Sequence, residues 1–111
     1  MSLLNSAKKI GNLELPNRFV NSATYESMAK ETGEVSDEYI KRYEKLAKGG
    51  VGLIITGLMH VHASGHGYKY QAGIDNDSMI AGLKKLTAAV HPADGRIPLQ
   101  LAHPASQTTK K

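Results

Sequence analysis

The sequence predicts an α/β fold: a partial TIM-type (β/α)8 barrel, comprising its first three parallel strands and two helices preceded by a short β-hairpin. Three observations carry this. Residues 18–23, 51–56 and 97–102 are apolar strand-like runs, and the last two lack in-and-out alternation, as strands covered on both faces do. A helix-periodic segment separates each consecutive pair, which is the crossover that parallel strands need. Each such segment ends in glycine, the residue that readily turns a helix exit.

The hairpin comes first. Gly11-Asn12 divides two short alternating runs over residues 8–15, and both residues tolerate the positive φ of a two-residue hairpin turn. Pro16 ends it, the strand over 18–23 follows, and a polar, helix-poor loop runs to Val35. Ser36 then suits an N-cap, Asp37 and Glu38 complement the helix dipole, and Tyr39, Ile40, Tyr43, Leu46 and Ala47 recur at helical spacing. Gly49-Gly50 makes the short turn into the second strand. A loop from Gly57 to about Ile74 precedes a second helix, capped by Asp75, Asn76 or Asp77, with Met79, Ile80, Leu83, Leu86 and Val90 as its apolar face. Gly95 marks the exit, and Pro98 falls near the start of the third strand, where a missing donor does least harm.

Three strands cannot close an eight-stranded barrel. The expectation is therefore that residues 1–111 are the amino-terminal portion of a single β/α barrel domain. A composition of 41% hydrophobic and 22% charged residues suits a globular protein. The absence of cysteine excludes disulfides, thiolate metal sites and cysteine nucleophiles, and it is compatible with a cytoplasmic location. The start carries no signal-like pattern, and no apolar run is long enough for a membrane span. The net charge of +4 is scattered, with one phenylalanine and no tryptophan to stack on bases, so a nucleic-acid partner is not expected.

In such barrels the chemistry sits at the carboxyl ends of the strands. The candidates are then Ser22, Ala23, Thr24 and Tyr25 after the first strand, Gly57 and Leu58 after the second, and Gln100 with His103 at the third. This set is poor in nucleophiles and bases and suits a planar heterocycle held by backbone, an amide and small residues. Neither a Gly-x-Gly-x-x-Gly nor a Walker lysine motif is present. His60, His62 and His66 lie in the long loop with no carboxylate or cysteine at ligand spacing, and read as solvent-exposed rather than metal-binding.

Three blocks now acquire a combined meaning: residues 10–20 (IGNLELPNRFV), 47–56 (AKGGVGLIIT) and 99–103 (LQLAH). In this order and spacing they resemble the amino-terminal region of the Old Yellow Enzyme family of FMN-dependent NADH:flavin oxidoreductases and ene-reductases, over nearly the whole chain. The resemblance implies an eight-stranded barrel in which FMN takes hydride from NAD(P)H and passes it to an activated alkene. It implies that Ser22 to Tyr25 lie along the flavin, that Gly57-Leu58 form the next flavin-contacting turn, and that Gln100 bonds the pyrimidine edge. Ser22-Ala23 stands where many members have Ala-Pro or Ser-Pro, Tyr25 where a threonine or cysteine often tunes the flavin, and Pro104-Ala105-Ser106 where Ala-Gly-Arg is common. The family's catalytic and phosphate-binding segments match nothing in this stretch, so no catalytic residue is assigned and the isolated chain is expected to be inactive. The alternative is a non-enzymatic module that self-associates to complete its open sheet, or binds a flavin or nucleotide without turnover.

Overall fold

The computed structural model describes residues 2–104. In chain order it contains strands β1 (Lys8–Ile10), β2 (Leu13–Leu15) and β3 (Val20–Asn21), helix α1 (Asp37–Lys48), strands β4 (Leu53–Ile54) and β5 (Leu58–His60), helix α2 (Ile80–Val90) and strand β6 (Gln100–Ala102). Short 3-10 turns occupy Leu3–Asn5, Ala63–Gly65, Asp77–Met79 and His91–Ala93.

β1 and β2 form the antiparallel hairpin, with Ile10 opposite Leu13. Only Gly11 of the turn has positive φ, at 57°, so the turn uses the left-handed region at its first position rather than at both. Of the hairpin strands only Leu15 is buried. Asn17 ties the hairpin exit to the next helix turn: its Nδ2 donates to Gly50 O (2.5 Å), and its Oδ1 accepts from Phe19 N (3.0 Å).

α1 starts where the sequence places it. Ser36 Oγ accepts from Tyr39 N at 3.1 Å and donates to Met28 O, joining the cap to the preceding loop. Acidic residues occupy the first turn and Lys45 and Lys48 the last, each complementing the dipole. At the exit Gly50 takes φ +96°, with Gly50 N donating to Ala47 O (3.0 Å) and Val51 N to Leu46 O (3.3 Å). This is a Schellman closure, which glycine permits because it has no Cβ to clash. α2 is entered through the 3-10 turn, capped by Asn76 Oδ1 on Ser78 N at 2.9 Å. Ile80, expected on its apolar face, is 47% exposed, whereas Met79, Leu86 and Val90 are buried.

Strands β3 to β6 pair in parallel. Val20 and Asn21 of β3 pair with Leu53 and Ile54 of β4, and Leu58 to His60 of β5 with Gln100 to Ala102 of β6. β4 also touches the third run through an isolated bridge, Leu53 with Arg96, and through Ile54 N to Arg96 O (2.8 Å) and Thr56 N to Pro98 O (3.2 Å). The predicted second strand is thus two pieces: the chain pauses after Ile54 and resumes in β5, inside the stretch expected to be loop. Leu58 lies five positions after Leu53, but its partner Gln100 only four after Arg96, the partner of Leu53. One extra residue is therefore accommodated, a β-bulge.

α1 and α2 cover one side of these strands. Tyr39, Tyr43 and Ala47 from α1 and Leu86 and Val90 from α2 form a core with Ile54 and Met59, with Ile97 and Leu99 packed against it. Tyr39 and Tyr43 are 0% and 1% exposed, their rings 4.9 Å apart. The Ser36 cap carries a direct consequence: Ser36→Ala should lower stability by about 1 kcal/mol, read as a lower urea midpoint with an unchanged slope.

Candidate functional site

The extra residue creates the site. A bulge leaves ladder N–H groups without their regular carbonyls, and side chains supply replacements here. Thr56 is fully buried, and its Oγ1 accepts from Gln100 N at 3.2 Å. Gly57 N donates to the hydroxyl of Tyr43 at 3.0 Å and lies 3.3 Å from Glu26 Oε2. Tyr43 in turn donates its own proton to Glu26 Oε2. Gly57 is also pressed against the segment after β3, where an added Cβ would lie 2.6 Å from Thr24 O and 2.7 Å from Glu26 Oε2. A glycine is required here by close approach, not by φ.

These contacts bring two of the predicted stretches together, 22–25 and 57–58. Ser22 and Thr24 are exposed, Ala23 and Tyr25 half-buried. The Ser22 carbonyl accepts from Thr24 Oγ1 (3.2 Å) and Asn21 Nδ2 (3.3 Å), which shapes the turn. Leu58, half-buried, pairs with exposed Gln100. Since Met59 and Leu99 belong to the helix-side core, period-two alternation places Leu58 and Gln100 on the opposite face. Tyr25 stacks on Tyr68 of the long loop, centroids 4.7 Å apart, and its hydroxyl donates to Ser27 Oγ at 3.3 Å.

Sequence reasoning missed the Glu26–Tyr43–Thr56 polar network. Its only advance signal was a carboxylate five positions past the end of β3 and a tyrosine on the core face of the next helix. Burial, reinforced by the hydrogen bond to Glu26, pushes the Tyr43 phenol up to about 12. Burial, with the neighbouring Tyr43, pushes the Tyr39 phenol higher still. Both phenols thus stay protonated and available as donors.

The histidines divide. His60, expected on an exposed loop, ends β5 and is buried; its burial follows from the strand resuming after Gly57. His62 is exposed, with its Nδ1 accepting from Ser64 N at 3.1 Å, and Ser64 Oγ lies 2.9 Å from His103 Nε2, linking the loop to the end of β6. Among the described residues no group of three ligating side chains is arranged to hold a metal ion. Nor is any helix there long and apolar enough to cross a membrane. Ala105 and Ser106, where the sequence departs from the family pattern, lie outside the described residues.

The donor set fits one side of a flavin ring. An exposed carboxamide at Gln100, a close-packed backbone shelf at Thr24 and Gly57, and small or half-buried residues between them offer flat contact and amide pairing, with the Glu26 carboxylate tied to Tyr43 and Gly57 N behind the shelf.

Gly57→Ala should cost about 1–3 kcal/mol by forcing the strand away from Thr24, measured by chemical denaturation. Tyr43→Phe should cost a similar ~1–3 kcal/mol because Gly57 N–H and Glu26 lose a buried partner. The Tyr43 pKa lies above its unfolded value of 10.0, so its contribution is complete below that pH and lost as pH rises toward about 12. An alkaline stability profile should therefore fall over that range and be shallower in Tyr43→Phe.

The model of the NADH:flavin oxidoreductase / NADH oxidase family matches residues 7–110. An NADH oxidase of Thermoanaerobacter brockii is 38% identical over 105 residues, covering 94% of this chain and 16% of that protein. An NADPH dehydrogenase of Listeria monocytogenes is 33% identical over 104 residues, covering 93% and 31%. Among solved structures, an Old Yellow Enzyme from Pichia sp. AKU4542 superposes with TM-score 0.85 at 26% identity, over 91% of this chain and 26% of that one. A morphinone reductase variant in complex with tetrahydroNAD gives TM-score 0.84 at 32% identity, over 93% and 28%. The chain thus spans about a sixth to a third of the length of these relatives, matching their amino-terminal portion. The family is FMN-dependent, with NAD(P)H as reductant, and its barrels are of the TIM type. The chain belongs to the NADH:flavin oxidoreductase / NADH oxidase family, as an amino-terminal part of its fold.

Proposed function

We propose that residues 1–111 form part of a single β/α barrel domain, supplying its first three strands, and that Ser22, Ala23, Thr24, Tyr25, Gly57, Leu58 and Gln100 hold the isoalloxazine of FMN. The observation that carries this is the meeting of Thr24 with Gly57 at 2.6 Å for an added Cβ, beside the Leu58–Gln100 pair. Those contacts gather three separate chain segments at one end of the parallel strands, where β/α barrels keep their chemistry. Gln100 would pair with the pyrimidine edge, and the Thr24 and Gly57 backbone would lie along the ring. Bound FMN supplies hydride transfer from NAD(P)H to an activated alkene. That activity is assigned to a cytoplasmic enzyme acting on small molecules, not nucleic acid or membranes, and residues 1–111 alone are assigned no turnover.

The test is a flavin fluorescence titration of the purified chain with FMN and with riboflavin. Since this stretch holds the ring side, the two ligands should bind within about threefold of one another, weakly, and Gln100→Ala should weaken both by roughly tenfold, the loss of one good amide pairing. No quenching at millimolar protein, or binding indifferent to Gln100, would sink the assignment. NADH consumption by the isolated chain would overturn its inactivity.

A second reading rests on one observation: Phe19, Val20 and Leu101 are 46%, 51% and 57% exposed on or beside the sheet. Uncovered strands of this kind associate with another copy. Light scattering decides it, since a monomer across the accessible concentration range excludes it.

A further inference from the structure

Four solvent-excluded polar atoms gather where the long loop folds back on β5. His60 is 1% exposed, and its ring stacks on His66 with centroids 4.4 Å apart and planes at 20°. Its Nδ1 lies 3.6 Å from Asp75 Oδ1. Neither nitrogen of His60, nor His66 Nε2, nor Asp75 Oδ1 has a hydrogen-bond partner. Backbone closes the remaining sides: a Cβ at Gly73 would fall 2.2 Å from His60 Cε1, and one at Gly33 would fall 2.9 Å from His60 Nε2. Around this ring the loop is fastened by His60 N to Ala72 O (3.1 Å), Ile74 N to His60 O (3.0 Å) and Gly73 N to Gly33 O (2.9 Å).

We propose that the stacked His60–His66 pair is an acid-released clamp on residues 61–74, closed while the His60 ring is uncharged and opened by its protonation. Two stacked imidazolium rings repel, and a charge in this enclosed position lacks the solvation that opening restores. The titratable groups that bear on His60 are His66 and Asp75. Burial and His66 disfavour its charged form, Asp75 favours it, and the first two prevail, holding His60 below the ordinary histidine range. In the open loop His60 returns to the ordinary value of about 6.5. The open form therefore takes up protons first, so opening is pH-independent well above about 6.5 and grows as pH falls below it, by up to about tenfold per unit for each proton gained. The clamp stands whether or not a flavin binds nearby.

Hydrogen exchange of the full chain, followed by NMR at about pH 7.5 and about pH 5.5 and corrected for intrinsic rates, tests it at the amides of His60, Gly73 and Ile74. The opening constant should rise severalfold at the lower pH, toward the limit of about tenfold that one added proton sets, while amides in the middle of α1 keep their protection. His66→Phe, which preserves a stacked ring without a proton site, should make the response shallower without abolishing it, because burial still disfavours charged His60. Asp75→Asn, which removes the carboxylate that favours charged His60, should steepen it. Opening that changes less than twofold with pH, a response unaltered in His66→Phe, or loss of protection in step with α1 would each overturn the proposal.

Discussion

One additional residue in the second strand run sets the geometry of everything around it. With strict alternation Ile54, Thr56 and Leu58 would share a face. The insertion instead gives the helix side Ile54, Thr56 and then Met59, and turns Leu58 to the side of Gln100. Such a shift survives only if the displaced N–H groups find acceptors, because an unpaired buried amide costs about 1–3 kcal/mol. Thr56 Oγ1, the Tyr43 hydroxyl and Glu26 provide them. The acceptors come from the break between β4 and β5, from α1 and from the loop after β3, so the bulge also fixes how those segments sit together.

The larger architecture was legible because it rests on local chemistry. Ser36 and Gly50 mark α1 by capping and by a left-handed closure, and the tyrosines at 39 and 43 are where helical spacing puts a buried stripe. The bulge was not legible, since the run from Val51 to Thr56 reads as one continuous strand and nothing in composition says that pairing resumes at Leu58. For the same reason His60 read as an exposed loop residue and lies buried. Ile80 misled differently: helical spacing puts it beside Leu83, but α2 starts at Ile80 itself, where the core no longer reaches. Of the candidate site, the strand-end positions could be named from fold logic. Glu26 could not, because its role depends on a contact across 17 residues with Tyr43.

The family relation and the local structure constrain each other. The matched stretch is a minority of each relative's length, 16% in one and 31% in another, yet the superposition covers more than nine-tenths of this chain. The parallel pairing is therefore preserved while, among the described residues, one face of these strands lacks the cover that parallel sheets ordinarily have. Exposed Leu101, paired with buried Met59, shows the limit of what α1 and α2 can shield.

The stack of Tyr25 on Tyr68 means that one aromatic face at the strand ends already has an occupant tethered to the same chain. A planar ligand arriving at Tyr25 would be exchanging partners, giving back roughly the 0.5–1.5 kcal/mol that such a ring pair is worth. Affinity at that position would then be set by how far Tyr68 can swing, so mutations there would act on selectivity between flat ligands of different breadth without touching any of them.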